Sequence, residues 1–285
     1  MTITAPIYHW QPAAWLKVQG EDAFTFLQGQ FTNDLRNLTP SAAVYGLWLN
    51  QKGRVLADSF IAQSATPGEF WVGSYFSPAA LIRDRLESYV IADDVTVTDE
   101  TSAWRGTTMV GPRVLVESLP NPGAIVFEGR RGLGEHREVL ASDFVDLPGA
   151  TLLNESDMTR TRIQAGIAAI PADIGPGELP NEGGLEAEAI SYTKGCYLGQ
   201  EVMARLKNLG QVRRRLVRVR GVGSPPAGPV ALFQQSKRIG ELRSTMANDD
   251  GFIGLALVTT MHLNPQGRLR LAPEGPDVAE LFENP

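Results

Sequence analysis

Apolar residues first fall at helical spacing in EDAFTFLQGQFTNDL, residues 21–35. Phe24, Leu27, Phe31 and Leu35 share a face there, and acidic residues stand at the front, where a helix dipole favours them. The spacing then shortens. YGLWLN (45–50) and RVLADSFIAQS (54–64) predict two strands around the turn QKG, and EFWVGSY (69–75) predicts a third. SPAALIRDRLESY (77–89) predicts a helix capped by Ser77, with Pro78 at its first position and Ile82, Leu86 and Tyr89 on one face. VTVTDE (95–100) adds a strand. A β-β-β-α-β order with single helices is an α+β signature rather than a run of βαβ units.

Glycine-punctuated strands follow at 107–112, 113–119, 124–129 and 137–142. NESDMTRTRIQAGI (154–167) predicts a helix with Asn154 or Ser156 as cap and Gly166 as stop. PADIGPGELPNEGG (171–184) is too rich in proline and glycine for regular structure and predicts an ordered loop. GQEVMARLKNLG (199–210) is a short helix ending at Gly210. Beyond it only short strands remain, at 213–221, 228–235, 237–245, 251–258 and 267–272, which predict a small barrel. The expected domains are 1–210 and 211–285. Period two places Arg214, Leu216, Arg218 and Arg220 on one face of the first barrel strand, with Val217 and Val219 facing its interior.

Composition narrows the class. The chain has 285 residues, 43% hydrophobic and 20% charged, ordinary globular values with length enough for two cores. A single cysteine excludes an intramolecular disulfide and any multi-cysteine metal site made by this chain alone, so no metal is expected and a reducing compartment fits. The start MTITAPIYHWQP has no basic region followed by an apolar run, and no stretch is long and apolar enough to span a bilayer. A cytoplasmic monomer without membrane association is expected. Nine basic and no acidic residues lie between Val202 and Gly240, although the whole chain carries −6. That asymmetry leaves two readings open, an anion-facing side or a solvated face near a domain junction.

The candidate chemistry centres on SYTKGCYLGQE, residues 191–201. Cys196 lies two residues after Lys194, between Gly195 and Gly199, just before a helix N-terminus. A nearby cation and free backbone N–H groups both favour a thiolate. On local physics alone a small inert residue at a turn is as good a reading. His9, His136 and His262 have no metal spacing, and no phosphate-loop or dinucleotide motif occurs in its proper setting, so ATP and NAD are not expected. The acidic pairs Asp93–Asp94 and Asp99–Glu100 read as solvated strand ends.

KGCYLGQE resembles the signature of the YgfZ folate-binding family, relatives of the glycine-cleavage T-protein. FLQGQFTNDL (26–35), LNQKGRVLAD (49–58), RIQAGI (162–167), LPNEGGLE (179–186) and AISYTKGCYLGQEVMARLK (189–207) fall in that family's order across nearly the whole chain. The resemblance implies ferredoxin-like folate-binding subdomains around a central channel, plus a C-terminal six-stranded β-barrel. It implies tetrahydrofolate as ligand, and a role in maintaining iron–sulfur enzymes, including those that thiomethylate tRNA. It would make Cys196 the functional thiol and Lys194 its activator, with Gly195, Tyr197, Gly199, Gln200 and Glu201 shaping the turn. Glu201 alternatively caps the helix or pairs with Arg205. Arg162, Gln164, Glu182 and Met158 become the folate-channel candidates, although Met158 also reads as helix core and Glu182 as a support of the proline-glycine loop. Iron–sulfur client enzymes are the implied protein partners, with tRNA a candidate for the Arg205–Arg220 segment.

Three departures from the family pattern matter. The T-protein holds the pterin with a glutamate where this chain has Gln164, and an amide offers one acceptor and one donor instead of two acceptors. Bacterial relatives place a folate-stacking tryptophan where Met158 stands. FWVGSY also lacks the asparagine that follows this strand in the T-protein, which disfavours aminomethyl transfer. The alternatives are a folate-dependent one-carbon transferase or demethylase, and a non-catalytic tRNA- or protein-binding module.

Overall fold

A strand covered on both faces loses its alternation of apolar and polar positions. In AWLKVQ the first three residues are all apolar and buried and only the short run Leu16 to Gln19 alternates, so this inner strand carries little pattern. The computed structural model describes residues 5–39, 42–111, 123–210, 212–261 and 263–282. Strands β1 (Ile7–Trp10) and β2 (Ala14–Gln19) precede α1 (Ala23–Gln30), and neither strand was expected from the hydrophobic pattern. Then come β3 (Ala43–Leu49), β4 (Val55–Gln63), β5 (Glu69–Ser74), α2 (Ala79–Glu87) and β6 (Thr96–Asp99). The first sheet has the order β3-β4-β5-β2-β6 and is antiparallel throughout. With β3 set aside, β2-α1-β4-β5-α2-β6 is the β-α-β-β-α-β pattern of a ferredoxin-like fold. Ala14, Leu16 and Val18 pack with Phe26, Leu27, Ile82 and Leu86 of the helices.

A second antiparallel sheet, β1-β7-β9-β8, is built with β7 (Arg105–Val110), β8 (Ile125–Glu128) and β9 (His136–Ala141). Trp15, Phe60, Trp71 and Tyr75 of the first sheet's region meet Trp10, Phe127 and Leu140 of the second in an aromatic core. The strand expected at 113–119 lies outside the described residues, as does His262. Both sheets belong to one compact unit, drawn from 1–130, 134–154 and 187–204.

The other unit comprises 131–133, 155–186 and 205–285, so the helix and proline-glycine loop after residue 154 cluster with the C-terminal strands. It holds α3 (Glu155–Ala165) and a sheet of order β11-β12-β13-β10-β14, from β10 (Arg214–Gly221), β11 (Val230–Gln234), β12 (Lys237–Asn248), β13 (Gly251–Thr259) and β14 (Ala279–Leu281). The strand expected at 267–272 is reduced to two bridges, Phe233 with Arg270 and Leu269 with Ala279, which link the outer strands β11 and β14 as a barrel requires. Val219, Leu232, Leu242, Phe252 and Val258 fill the interior, with Val217 packed against them as the period-two pattern expects. On the outer face Ile163 of α3 packs with Leu216, Ile253 and Leu255. Among the described residues no helix is long and apolar enough to cross a membrane.

Candidate functional site

The motif lies between α4 (Glu186–Ala189) and α5 (Gln200–Leu209). It is tied down at its start by Thr32, whose hydroxyl donates to Ala189 O at 2.7 Å and whose own carbonyl accepts from Ser191 N at 3.0 Å. Lys194 is buried, and its ammonium donates to three backbone carbonyls, of Gln28 at 2.5 Å, Phe31 at 2.7 Å and Asn33 at 3.0 Å. An ammonium has three hydrogens, so this set uses all of them. The part expected for Lys194, a cation facing the thiol, is therefore not the one its hydrogen bonds describe. Burial holds its pKa down to about 8, with Asp34 opposing that shift and Arg36 adding to it.

Tyr197 is also buried, with its ring 5.2 Å from the Lys194 ammonium. Its hydroxyl has no hydrogen-bond partner among the described residues, and burial raises it above the usual phenol range. Between these two anchors only Gly195 and Cys196 stand out, and Cys196 is exposed. Gly199 closes the turn with φ +86°. A Cβ there would lie 2.9 Å from Asn50 O and 3.2 Å from Gly53 Cα, so only glycine lets the motif backbone seat against the β3–β4 turn. Gly199 O then accepts from Met203 N, and Gln200 and Glu201 occupy the first turn of α5.

A second cluster in this unit was not expected. Asp58 on β4 is buried, and its Oδ1 accepts from Ser77 at 2.6 Å and Ser74 at 2.8 Å, its Oδ2 from the Tyr45 hydroxyl at 3.2 Å. Burial raises its pKa, while the hydroxyls of Ser77, Ser74 and Tyr45 and the charge of Arg130 favour the ionised form. Arg130 lies over the Tyr45 ring, 4.6 Å from its centroid, and pairs with Glu188, its Nε donating at 2.8 Å. Ser77, expected as a helix cap, is thus a ligand of the carboxylate, and Pro78 occupies the N-cap position of α2. The available signal was polar residues, Asp58, Ser74 and Ser77, within or beside strands otherwise apolar on both faces. Nearby, the fully buried Glu138 accepts from Trp10, Tyr75 and Thr108.

The folate candidates all lie in the other unit. Arg162 is buried, and its Nη1 donates to Asp173 Oδ2 at 2.6 Å and Ile167 O at 2.8 Å, its Nη2 to Ser244 at 3.0 Å. Glu182 is buried too, accepting from Leu179 N at 2.8 Å and from Arg214 at 2.9 and 3.0 Å. Met158 is buried in α3, while Gln164 is exposed, with its backbone carbonyl accepting from Arg218 at 2.8 Å. The motif cysteine and the folate candidates thus fall in different units.

The basic segment is partly neutralised. Arg214 pairs with Glu178 and Glu182, Arg220 with Glu280 and Arg238 with Glu241, whereas Arg213 and Arg215 are exposed. Among the described residues no group of three or more His, Cys, Asp or Glu is arranged to hold a metal ion.

Residues 5–116 match the family model described as the GCVT N-terminal domain, and residues 213–277 match that of the CAF17 C-terminal beta-barrel domain. The chain is 30% identical to the mouse iron-sulfur cluster assembly factor IBA57, mitochondrial, over 86% of this chain and 75% of the relative. It is 29% identical to the human protein of that name, over 93% and 80%. The tRNA-modifying protein YgfZ of Klebsiella pneumoniae is 26% identical over 89% and 85%. The solved structure of the glycine cleavage system aminomethyltransferase T from Bartonella henselae superposes with a TM-score of 0.79, covering 99% of this chain and 86% of that one, at 16% identity. At that identity the likeness speaks for the fold. With two shared domains in sequence order and relatives matched over most of both chains, this chain belongs to the YgfZ/IBA57 family, whose relatives' names place it in iron–sulfur-related processes.

Proposed function

We propose that this chain is a folate-binding accessory protein for the assembly or repair of iron–sulfur enzymes, including those that modify tRNA, and that it works through the thiol of Cys196 in a reducing compartment. The observation that carries this reading is the exposed Gly195–Cys196 tip held between two buried anchors, Lys194 and Tyr197. A lone exposed thiol on an ordered turn can reach a partner protein, and its chemistry depends on presentation as much as on ionisation. Replacing Cys196 by Ala tests the reading. Cluster-dependent tRNA thiomethylation should fall in a strain relying on this variant, and full activity would remove the thiol from the mechanism.

The folate residues fit their ligand in part. Arg162 and Glu182 are committed to internal pairs and act as the frame of the site, Met158 supplies packing, and Gln164 is the candidate whose side chain is open to a ligand. Tetrahydrofolate supplies a one-carbon carrier when bound; the part of this chain is to hold its pterin. Because Gln164 is exposed, the amide hydrogen it cannot pair with a pterin donor stays hydrated, and the mismatch weakens binding rather than abolishing it. Calorimetric titration with tetrahydrofolate should show the Gln164→Glu variant binding about tenfold more tightly, one charge-assisted hydrogen bond being the difference. Equal affinities would take Gln164 out of the site.

Asp58 supports a second reading, folate-dependent one-carbon transfer, since a buried acid with a raised pKa suits proton transfer. Formation of methylene-folate from a methylamine donor is its test.

A further inference from the structure

The end of α1 lacks an ordinary cap. Phe31 leaves the helix in an extended conformation, with φ −91° and ψ 146°, instead of the left-handed turn that satisfies the last carbonyls. Lys194 fills that gap from 166 residues away, its ammonium on the carbonyls of Gln28, Phe31 and Asn33. A cation at a helix C-terminus also meets the negative end of the helix dipole. The Lys194 ammonium also lies 5.2 Å from the Tyr197 ring, and the residue's backbone N–H donates to Ser191 Oγ at 3.3 Å, so one residue joins both arms of the thiol turn to the first sheet's helix layer. We infer that Lys194 is a positioning residue, a lock whose charge holds the Cys196 turn against the end of α1 and so governs how the thiol is presented.

The inference rests on Cys196 being the functional thiol, but the lock can be measured without that function. Arginine cannot replace the lysine, because its planar fork diverges where three carbonyls converge on one nitrogen. The charged groups facing the ammonium are Asp34 and Arg36, paired with each other at the end of α1, and the Tyr197 phenol. Asp34 is held well below the usual carboxylate range, chiefly by its hydrogen bond to Arg36, and so keeps its charge across neutral pH. Above pH about 8 the neutral amine has two hydrogens left for three acceptors, and the lock loosens.

Hydrogen exchange of the full chain, corrected for intrinsic rates, tests this together with alkylation of Cys196 by iodoacetamide across pH. In Lys194→Met, amides of the 189–200 peptide should exchange about tenfold faster than in wild type while amides remote from that turn and from the end of α1 are unchanged, and Lys194→Arg should behave alike. The midpoint of the alkylation profile should stay at its wild-type pH. Exchange within twofold of wild type, or an alkylation midpoint moved upward by loss of the cation, would overturn the lock and make Lys194 an electrostatic activator. If neither variant folds, wild-type protein still decides: protection of this peptide must fall selectively as pH rises past about 8, and uniform behaviour refutes the inference. Failure of Cys196→Ala to impair tRNA modification would leave these exchange results standing, so the two readings fail separately.

Discussion

The two units hold their buried charges by different means. In the unit that carries the C-terminal strands, cations meet carboxylates: Arg162 pairs with Asp173, Arg214 with Glu182 and Glu178, and Arg243 with Glu178. Burial would raise the Glu178 carboxyl, yet hydrogen bonds from Arg243 and Gly175 N–H bring it below its ordinary value. In the other unit, four buried charged groups have neutral hydrogen-bond partners. Asp58 is met by hydroxyls, Glu138 by an indole and two hydroxyls, Lys194 by carbonyls, and Arg85 by Gln30, a Leu49 carbonyl and the Tyr89 ring. A buried ion pair resists any change in either partner, because the survivor is left uncompensated. A group surrounded by neutral dipoles can change its charge while its neighbours only reorient. The first arrangement builds a frame, and the second leaves titratable groups where chemistry or switching is possible.

Breaking the strongest pair should have the largest effect. Arg162→Met leaves the Asp173 carboxylate, fully buried, without its cation and should cost about 3–5 kcal/mol. Urea denaturation should show the loss, and Arg162→Met with Asp173→Asn should recover most of it. Equal losses in the single and double variants would mean that packing, not the pair, makes Arg162 matter.

This contrast was only half legible in the sequence. The amphipathic helices could be read from their apolar spacing, and the short barrel strands from the turn residues that bound them, even β13, which is buried on both faces. β2 was harder to read, since Trp15 faces the aromatic core while Ala14 and Leu16 face the helices, leaving only the short run Leu16 to Gln19 to alternate. The Cys196 motif stood out through the scarcity of cysteine and the glycines beside it. The partners of Lys194 did not, because three backbone carbonyls leave no trace in residue identity. Ser77 was read by its local context before Pro78, and the long-range bond to Asp58 outweighed that context. Arg162 and Glu182 looked like ligand-binding residues because polar side chains in glycine-rich motifs do either job. Only their partners in the fold, Asp173 and Arg214, reveal the frame.

A smaller effect is expected from Asp58, with a sign that depends on pH. Its folded pKa is raised above the unfolded value of 3.8, so the stability it contributes is fully present below that value and is lost as pH rises through the folded pKa. The stability difference between wild type and Asp58→Asn should therefore move in favour of the variant as pH climbs from about 4, then level off above the folded pKa. Thermal midpoints of both proteins across that range check it. A difference moving toward wild type instead would show that the hydroxyls of Ser74, Ser77 and Tyr45 outweigh burial and hold Asp58 ionised.

The smallest effect should come from an ion pair that is not buried. Arg220 lies on the same strand as Arg214 and binds Glu280, but it is largely exposed, at 64%, and Glu280 is also held by Arg268. Solvent and salt screen such a pair, and the second arginine keeps the carboxylate compensated when the first is removed. Arg220→Ala should leave the unfolding midpoint within measurement error of wild type at low and at high salt, whereas Arg214→Ala, which strips the cation from the buried Glu182, should lower it. If both variants proved equally harmless, the carboxylates of the proline-glycine loop would be sustained by backbone N–H groups such as that of Leu179, and the pairing of charges would not be what frames this unit.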